Sequence, residues 1–515
     1  MTGSTTRRTI AVIDVGSNSV RLLVARELSP VAFEVIDEER FDARLGEEQA
    51  NGSLSREGIE RGLRALSIMS EVGRSYGPDA LTVVGTEALR RAPNAAVFAA
   101  RAQAESGVEV RILSGYEEAT AAFFGVVNST LLADGHLLDI GGGSVEVMRV
   151  QGRALADVHS APLGAIYARE NYFRTDPPSD RDIRALRKAV RQQIAAVAAA
   201  PAGDQLFATG GAVRNLARIV RMKHRYDLRR IHGSVITRAD LHRLATVLAR
   251  ATPEQRRRMP GVNGSRVDTL PAAAIVIDEV MSLIGAGSLT VAGQGLREGL
   301  VWQELRGESP IIPDVRSASI GGLARANGVD EAAAEPVVAV ASQLFEATSA
   351  VHGFGAPELQ LLLAAGRLAG IGMHIDYYNR DRHAEYLVQS GDLRGFTHRE
   401  IVLLAALVRH ASGGTPDFAA YRAIVEPDDQ RRALILSTLL GIARAIHRRT
   451  PSPVTGVDLI CTTELLQVVL RSREPLDAEL FELERQEKRV ESALKLGFAA
   501  TAHVQRSAAL SPNRR

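Results

Sequence analysis

The sequence predicts an α/β chain built as two related α/β domains followed by an all-helical region. Two observations predict this. An apolar strand ending in Asp, a Gly/Ser turn and a second strand occur at Asp14 and again at Asp139, about 125 residues apart. After residues 310–313, Pro-Ile-Ile-Pro, strand signals fade and Ala/Leu/Arg patterns of helical spacing run from Ser317 to Leu496. The expected divisions are 1–128, 129–308, 309–475 and a C-terminal helix with tail, 476–515.

The elements follow in order. Residues 9–14 and 21–26 are β-branched strands joined by Gly-Ser-Asn-Ser, and 31–41 is a third strand. Residues 56–73 have helical apolar spacing and end at Gly73 and Gly77. Short apolar runs at 81–85 and 108–113 flank a helix at 94–105. Ser114 caps a helix that reaches about Val127, with Glu117 placed for a capping box. The pattern then restarts with strands at 136–140 and 145–150 around the turn 141–144. Residues 476–496 form a charged helix with a solvated face, and the tail 506–515 is polar and frayed.

Composition narrows the function. The 515 residues carry 62 Lys+Arg against 60 Asp+Glu, a net charge of +2. That balance argues against a protein that coats nucleic acid. One cysteine, Cys461, excludes an intramolecular disulfide or a cysteine zinc site and fits a reducing compartment. Asp14 interrupts the first apolar run, and Asp278 and Glu279 interrupt the most apolar later one, 270–289. The expectation is a cytoplasmic protein with no integral membrane segment. Lys188, Lys223, Lys488 and Lys495 are the only lysines. Basic sites are therefore guanidinium forks, which suit phosphate oxygens.

Five motifs carry chemistry. In Asp14-Val-Gly16-Ser17-Asn18-Ser19, glycine lets backbone approach a ligand, and the turn offers donors to phosphate. Asp14, being anionic, fits a metal ion, directly or through water. In Asp139-Ile-Gly141-Gly142-Gly143-Ser144-Val-Glu146, three glycines would weaken a strand unless bare backbone is needed, and Asp139 and Glu146 are hard oxygen ligands suited to Mg²⁺. In Thr209-Gly210-Gly211, a strand runs into a helix N-terminus that favours anions. Ser114-Gly-Tyr-Glu117-Glu118 places paired acids in a first helical turn, where one carboxylate can take a proton from water. Thr86-Glu-Ala-Leu-Arg90 follows a strand, so Arg90 can clamp a phosphate. Residues 214–258 add twelve arginines, among them Arg214, Arg229 and Arg230, as a candidate track for a long polyanion.

Together these residues resemble the exopolyphosphatase/guanosine pentaphosphate phosphatase (Ppx/GppA) family, of the actin-like (RNase H-like) ATPase superfamily. The three glycine motifs stand in the family's order, joined by Pro162-Leu-Gly-Ala, residues 266–271 and Gly295-Leu-Arg-Glu-Gly. The resemblance implies two actin-like domains and Mg²⁺-dependent, processive hydrolysis of the terminal phosphate of inorganic polyphosphate. It implies that Glu118 activates the attacking water, that Asp14, Asp139 and Glu146 form the metal site, and that the glycine turns and Arg90 hold phosphate. Long members also imply a homodimer and an HD-like helical region. Here Ile371-Gly372, Tyr377-Tyr378-Asn379 and His383 match that region, but Ala369 and Gly370 stand where a His-Asp pair belongs and cannot bind a metal. Guanosine pentaphosphate 5′-phosphatase activity, ATP-dependent transfer and a non-catalytic polyphosphate- or nucleotide-binding role are the alternatives. A monovalent cation beside Mg²⁺ is left open.

Overall fold

The computed structural model describes residues 7–46, 52–198, 203, 205–224 and 228–504, so the tail expected at 506–515 lies outside them. The chain falls into two compact units that part at Val315 and Arg316, with Arg229 grouped with the second.

In the first unit, β-branched and apolar runs make β1 (Thr9–Val15), β2 (Val20–Ser29) and β3 (Ala32–Phe41). Then come α1 (Arg56–Ser75), β4 (Ala80–Gly85), α2 (Glu87–Arg91), α3 (Ala95–Ser106), β5 (Arg111–Ile112) and α4 (Gly115–Val127). The sheet order is β3-β2-β1-β4-β5. Its first three strands are antiparallel, and β4 and β5 run parallel to β1.

The design is then repeated. β6 (Gly135–Ile140), β7 (Val145–Gln151) and β8 (Ala154–Ala161) form a second meander. It is followed by α5 (Ala165–Tyr172), α6 (Asp180–Ala198), β9 (Gln205–Thr209), α7 (Gly211–Lys223), β10 (Val235–Thr237), α8 (Arg238–Arg250), α9 (Pro253–Arg258), α10 (Leu270–Ile284), β11 (Ser288–Val291) and α11 (Leu296–Arg306). The order β10-β11-β9-β6-β7-β8 matches the first sheet with one added edge strand. Register shows the equivalence at residue level. Asp14 lies opposite Arg21 on β1–β2, and Asp139 opposite Glu146 on β6–β7. Both turns close alike, Gly16 N to Ser19 O at 3.1 Å and Gly141 N to Ser144 O at 3.0 Å.

Each sheet buries its own core, with Ile13, Val15, Leu63 and Leu66 in the first and Leu138, Val147, Ile275 and Val276 in the second. The apolar run at 270–289 is α10, a core helix. Its buried Asp278 and Glu279 are paired with Arg187 at 2.5 and 2.6 Å. Among the described residues no helix is long and apolar enough to cross a membrane.

The helices that follow the two sheets are exchanged. α4 leaves the first sheet, yet its Ala119, Phe123 and Val126 pack with Leu137, Met148 and Phe207 of the second. α11 leaves the second sheet and lies against β1 and β2. There Trp302 packs tilted against Phe33 of β3, ring centroids 4.7 Å apart, and Arg297 donates to the Leu22 carbonyl at 3.0 Å. α4 and α11 touch through glycine. A Cβ on Gly299 would sit 1.7 Å from the Ala121 carbonyl oxygen, and one on Gly125 would sit 2.1 Å from that of Gly295.

The second unit is helical through α12 (Val315–Ala326), α13 (Glu331–Ala347), α14 (Ser349–His352), α15 (Ala356–Leu368), α16 (Arg380–Ser390), α17 (His398–His410) and α18 (Asp429–Ile446). Beyond that it departs from the all-helical expectation. β12 (Val454–Cys461), β13 (Leu465–Ser472) and β14 (Gly497–Val504) form a three-stranded sheet. Pro451, Pro453 and Gly456 oppose helix here, and β13 alternates, burying Leu466, Val468 and Leu470. The single charged helix expected at 476–496 is two short helices, α19 (Asp477–Glu484) and α20 (Glu487–Leu494). Its acids are not all solvated: Glu479 is fully buried and receives Arg449 at 2.8 and 3.0 Å. Ala369 and Gly370 follow α15, at the place where the resemblance looks for a His-Asp pair.

Candidate active site

The two meander turns face each other across the cleft of the first unit. A Cβ on Gly142 would meet Ser17 Cβ at 3.1 Å, and one on Gly143 would meet Ser17 Oγ at 3.0 Å. Glycine is required here because any side chain would fill the gap between the turns. The third turn closes the floor. Gly210 has φ +110°, a left-handed value suited to glycine, and a Cβ there would lie 2.3 Å from the Ile140 carbonyl oxygen. Between the turns is one pocket, lined by Asp14, Gly16, Ser17, Asn18, Ser19, Glu118, Asp139, Gly141, Gly142, Gly143, Ser144, Gly210, Gly211 and Arg214.

The acid pair separates by role. Glu117 is spent on the helix cap: Ser114 N and Oγ both donate to its carboxylate at 2.8 Å. Glu118, one residue on, is buried and lines the pocket. Burial pushes its carboxyl up to about 7, against the Arg90 guanidinium and with help from Asp139 and Asp14. A carboxyl titrating there is matched to proton transfer near neutral pH. Arg90 donates through Nη1 to Glu118 at 2.7 Å and to the Leu113 carbonyl at 2.9 Å, and through Nη2 to Glu87 at 2.7 Å.

The other acids share the strain. Burial raises Asp139 to about 6, opposed by Arg214 and supported by Asp14. Burial also raises Asp14, against Arg21 and Arg297. Glu146 is pushed well above the usual carboxylate range by burial and then by Glu118 and Asp139, while Ser160 Oγ donates to it at 2.8 Å. Asp14 Oδ1 is buried with no hydrogen-bond partner. An orphaned carboxylate oxygen among acids that raise one another's pKa fits a divalent cation. Among the described residues no three His, Cys, Asp or Glu side chains converge as a ligand set. The donor chemistry therefore fits an ion such as Mg²⁺, held by one or two carboxylates and completed by water and phosphate oxygens.

Several expected residues stand elsewhere. Arg90 is not among the pocket-lining residues; its guanidinium holds Glu118 and Glu87. Glu146 lies behind the pocket wall rather than on it. Arg229 and Arg230 lie in the segment before β10, outside the pocket lining.

The motif reading missed four cleft residues, Arg21, Arg266, Arg297 and Glu298. Burial, together with Arg214 and Arg297, lowers Arg21 to about 9. Burial with Arg40 and Arg214 lowers Arg266 to about 10. A guanidinium kept this uncomfortable by its own kind is prepared for an anion. Signals for them existed: Arg21 ends the first motif, and Arg266 and Arg297 fall in the shorter matching stretches.

Comparison with known proteins gives the chain a family. The model of the Ppx/GppA phosphatase family matches residues 23–308, more than half of the chain. The chain belongs to the Ppx/GppA phosphatase family. The model of domain III of Ppx/GppA phosphatases matches residues 315–485, which covers most of the second unit. A Ppx/GppA family member from Aquifex aeolicus is similar at 26% identity, with a TM-score of 0.52 over 58% of this chain and 98% of its own. A second Aquifex aeolicus structure, of a PPX-GPPA enzyme, matches at 26% identity and a TM-score of 0.51 over 57% and 99%. An exopolyphosphatase from Cytophaga hutchinsonii shares the fold at 24% identity and a TM-score of 0.55 over 58% and 98%. The two sheets thus have the actin-like ATPase fold, and Ppx/GppA members are phosphohydrolases.

Proposed function

We propose that this Ppx/GppA protein is an exopolyphosphatase that hydrolyses the terminal phosphate of inorganic polyphosphate in the cleft of its first unit. The observation that carries this reading is Glu118, a buried carboxylate facing three glycine turns and four arginines, with a pKa near neutrality. Glu118 takes the proton of a water attacking the terminal phosphorus. The bond from that phosphorus to the bridging oxygen breaks, and orthophosphate and a chain one unit shorter result. Arg90 positions Glu118. The amides of Ser17–Ser19 and Gly142–Ser144 and the guanidiniums of Arg21, Arg214, Arg266 and Arg297 orient and neutralise the phosphates. Asp14 and Asp139, backed by Glu146, would hold Mg²⁺, which when bound supplies charge neutralisation at the reacting phosphate.

Polyphosphate is favoured over guanosine pentaphosphate by the basin that continues the cleft. Arg21, Arg40, Arg214, Arg218 and Arg266 line it with Glu38, and among the described residues no aromatic side chain does. The Asn215 amide is already used at both ends, by the Gly261 carbonyl at 2.6 Å and the Asn263 N–H at 3.1 Å. The basin therefore suits phosphate oxygens, and the Asn215 amide is engaged by the backbone rather than held ready for a guanine edge. A cytoplasmic homodimer completes the reading; the single cysteine and the resemblance to long family members support it. The test is orthophosphate release from long polyphosphate with and without Mg²⁺, beside kcat/KM on guanosine pentaphosphate. A larger kcat/KM on the nucleotide would replace polyphosphate as the substrate.

A further inference from the structure

Among the described residues, the basin of five arginines has a single acid in its lining, Glu38, and that acid ties the basin to the cleft. Glu38 stands on β3, the edge strand of the first sheet, opposite Leu23 of β2. Arg297, which lines the cleft, donates through Nη2 to Glu38 Oε1 at 2.6 Å. The two partners are unequal. The Arg297 side chain is 7% exposed and that of Glu38 57%. Arg297 also has other anchors: Nη1 donates to the Leu22 carbonyl at 3.0 Å, and Glu298 lies 3.9 Å from Nη2. Arg40, two residues along β3, has a carboxylate of its own in Asp42 at 2.5 Å. Glu38 therefore answers to the arginines of the cleft. Burial opposes its charge, but Arg297, and behind it Arg214 and Arg21, hold its carboxyl below the usual carboxylate range.

We infer that Glu38 is a resident counter-ion of the cleft, which occupies the Arg297 fork when no substrate is bound and which an incoming phosphate must displace. The inference rests on the exopolyphosphatase reading for the identity of that phosphate. A guanidinium buried as deeply as Arg297 needs an anion beside it. A glutamate on an edge strand, more than half exposed, can supply the charge and then rotate its side chain into water. Arg297 stays in place on its carbonyl anchor. The displacement weakens the binding of each anion by a similar factor. A long chain that touches several of the five arginines at once stays bound after that loss, whereas a single orthophosphate does not. Glu38 thus keeps the product from holding the cleft against the substrate.

Glu38→Gln keeps the shape and an acceptor oxygen for Arg297 and removes the charge, and Glu38→Ala removes both. The kinetic readouts are KM for long polyphosphate with Mg²⁺ and the inhibition constant of added orthophosphate. Calorimetry without Mg²⁺ gives the dissociation constants of both anions in the absence of turnover. In both variants KM and the inhibition constant should fall about five-fold, in line with the modest energy of a half-exposed ion pair. The dissociation constants should fall in parallel, and kcat should not exceed that of the wild type. A glutamate that only positioned Arg297 for phosphate would give the opposite sign, with KM and the inhibition constant raised. Constants that are unchanged or raised in Glu38→Gln overturn the inference, and so do constants raised in Glu38→Ala. A wild type that releases no phosphate from polyphosphate removes the substrate reading instead. The calorimetric constants for orthophosphate then decide the counter-ion role by themselves: tighter binding in Glu38→Gln upholds it, and unchanged or weaker binding ends it.

Discussion

Glu118 and Glu117 are adjacent, alike and legible in sequence, yet only one can serve the cleft. The capping box decides, because it consumes Glu117 and turns the next residue inward. Glu118→Gln keeps the shape and removes the base. It should bind polyphosphate and hydrolyse it at least about 100-fold more slowly in single turnovers. The raised pKa also has a signed effect on stability. Without metal, Glu118 holds its proton more tightly folded than unfolded. Its contribution is full below its ordinary value of 4.5 and is lost as pH rises through about 7. The metal-free wild type should therefore lose melting temperature between pH 5 and 8 more steeply than Glu118→Gln. Arg90 lowers the Glu118 pKa by charge and hydrogen bond. Arg90→Gln should thus move the acid limb of kcat to higher pH, a shift that simple loss of phosphate binding would not produce. The pairing of Arg90 with Glu118 was not legible, since a contact across 28 positions leaves no local pattern. Arg21 and Arg297 lie in stretches that the motifs already cover, but nothing local says that the fold gathers them with Arg214 and Arg266 in one cleft.

Elements with strong local chemistry were the readable ones. The first meander, the strand pair around the second Asp-Gly turn and the Ser114 cap depend on residues within a few positions of one another, and the structure has them where the pattern predicts; β8, which completes the second meander, was not read. β12–β14 were not read, because β14 pairs in parallel with β13 across an intervening helix pair. Leu/Val-rich strands of eight residues also resemble a helix when judged by composition alone. The contact of α4 with α11 was equally silent, for the glycines that permit it sit in ordinary helical stretches. Gly299→Ala is informative because its sign is diagnostic. In an open helix the change stabilises by about 0.5–1 kcal/mol. Here the methyl would drive into the Ala121 carbonyl, so a loss of about 1–3 kcal/mol is expected by calorimetry or chemical denaturation.

At the scale of the molecule, a net charge of +2 hides a cleft in which several arginines face several carboxylates. Substrate capture should weaken as salt screens the arginine basin. KM for long polyphosphate should rise between 50 mM and 300 mM salt, while kcat, set inside the closed cleft, should move less. The duplication was visible in the spacing of two aspartates, but the exchange of α4 and α11 between the lobes was not. That exchange bears on how the protein can be taken apart. A cut after Asn128 looks like a clean border by sequence, yet each fragment keeps a helix that completes the other's core. Fragments 1–128 and 129–515 should each expose apolar surface and aggregate when produced singly. Produced together they should reassemble into an active enzyme, a split-protein pair whose complementation depends on two swapped helices.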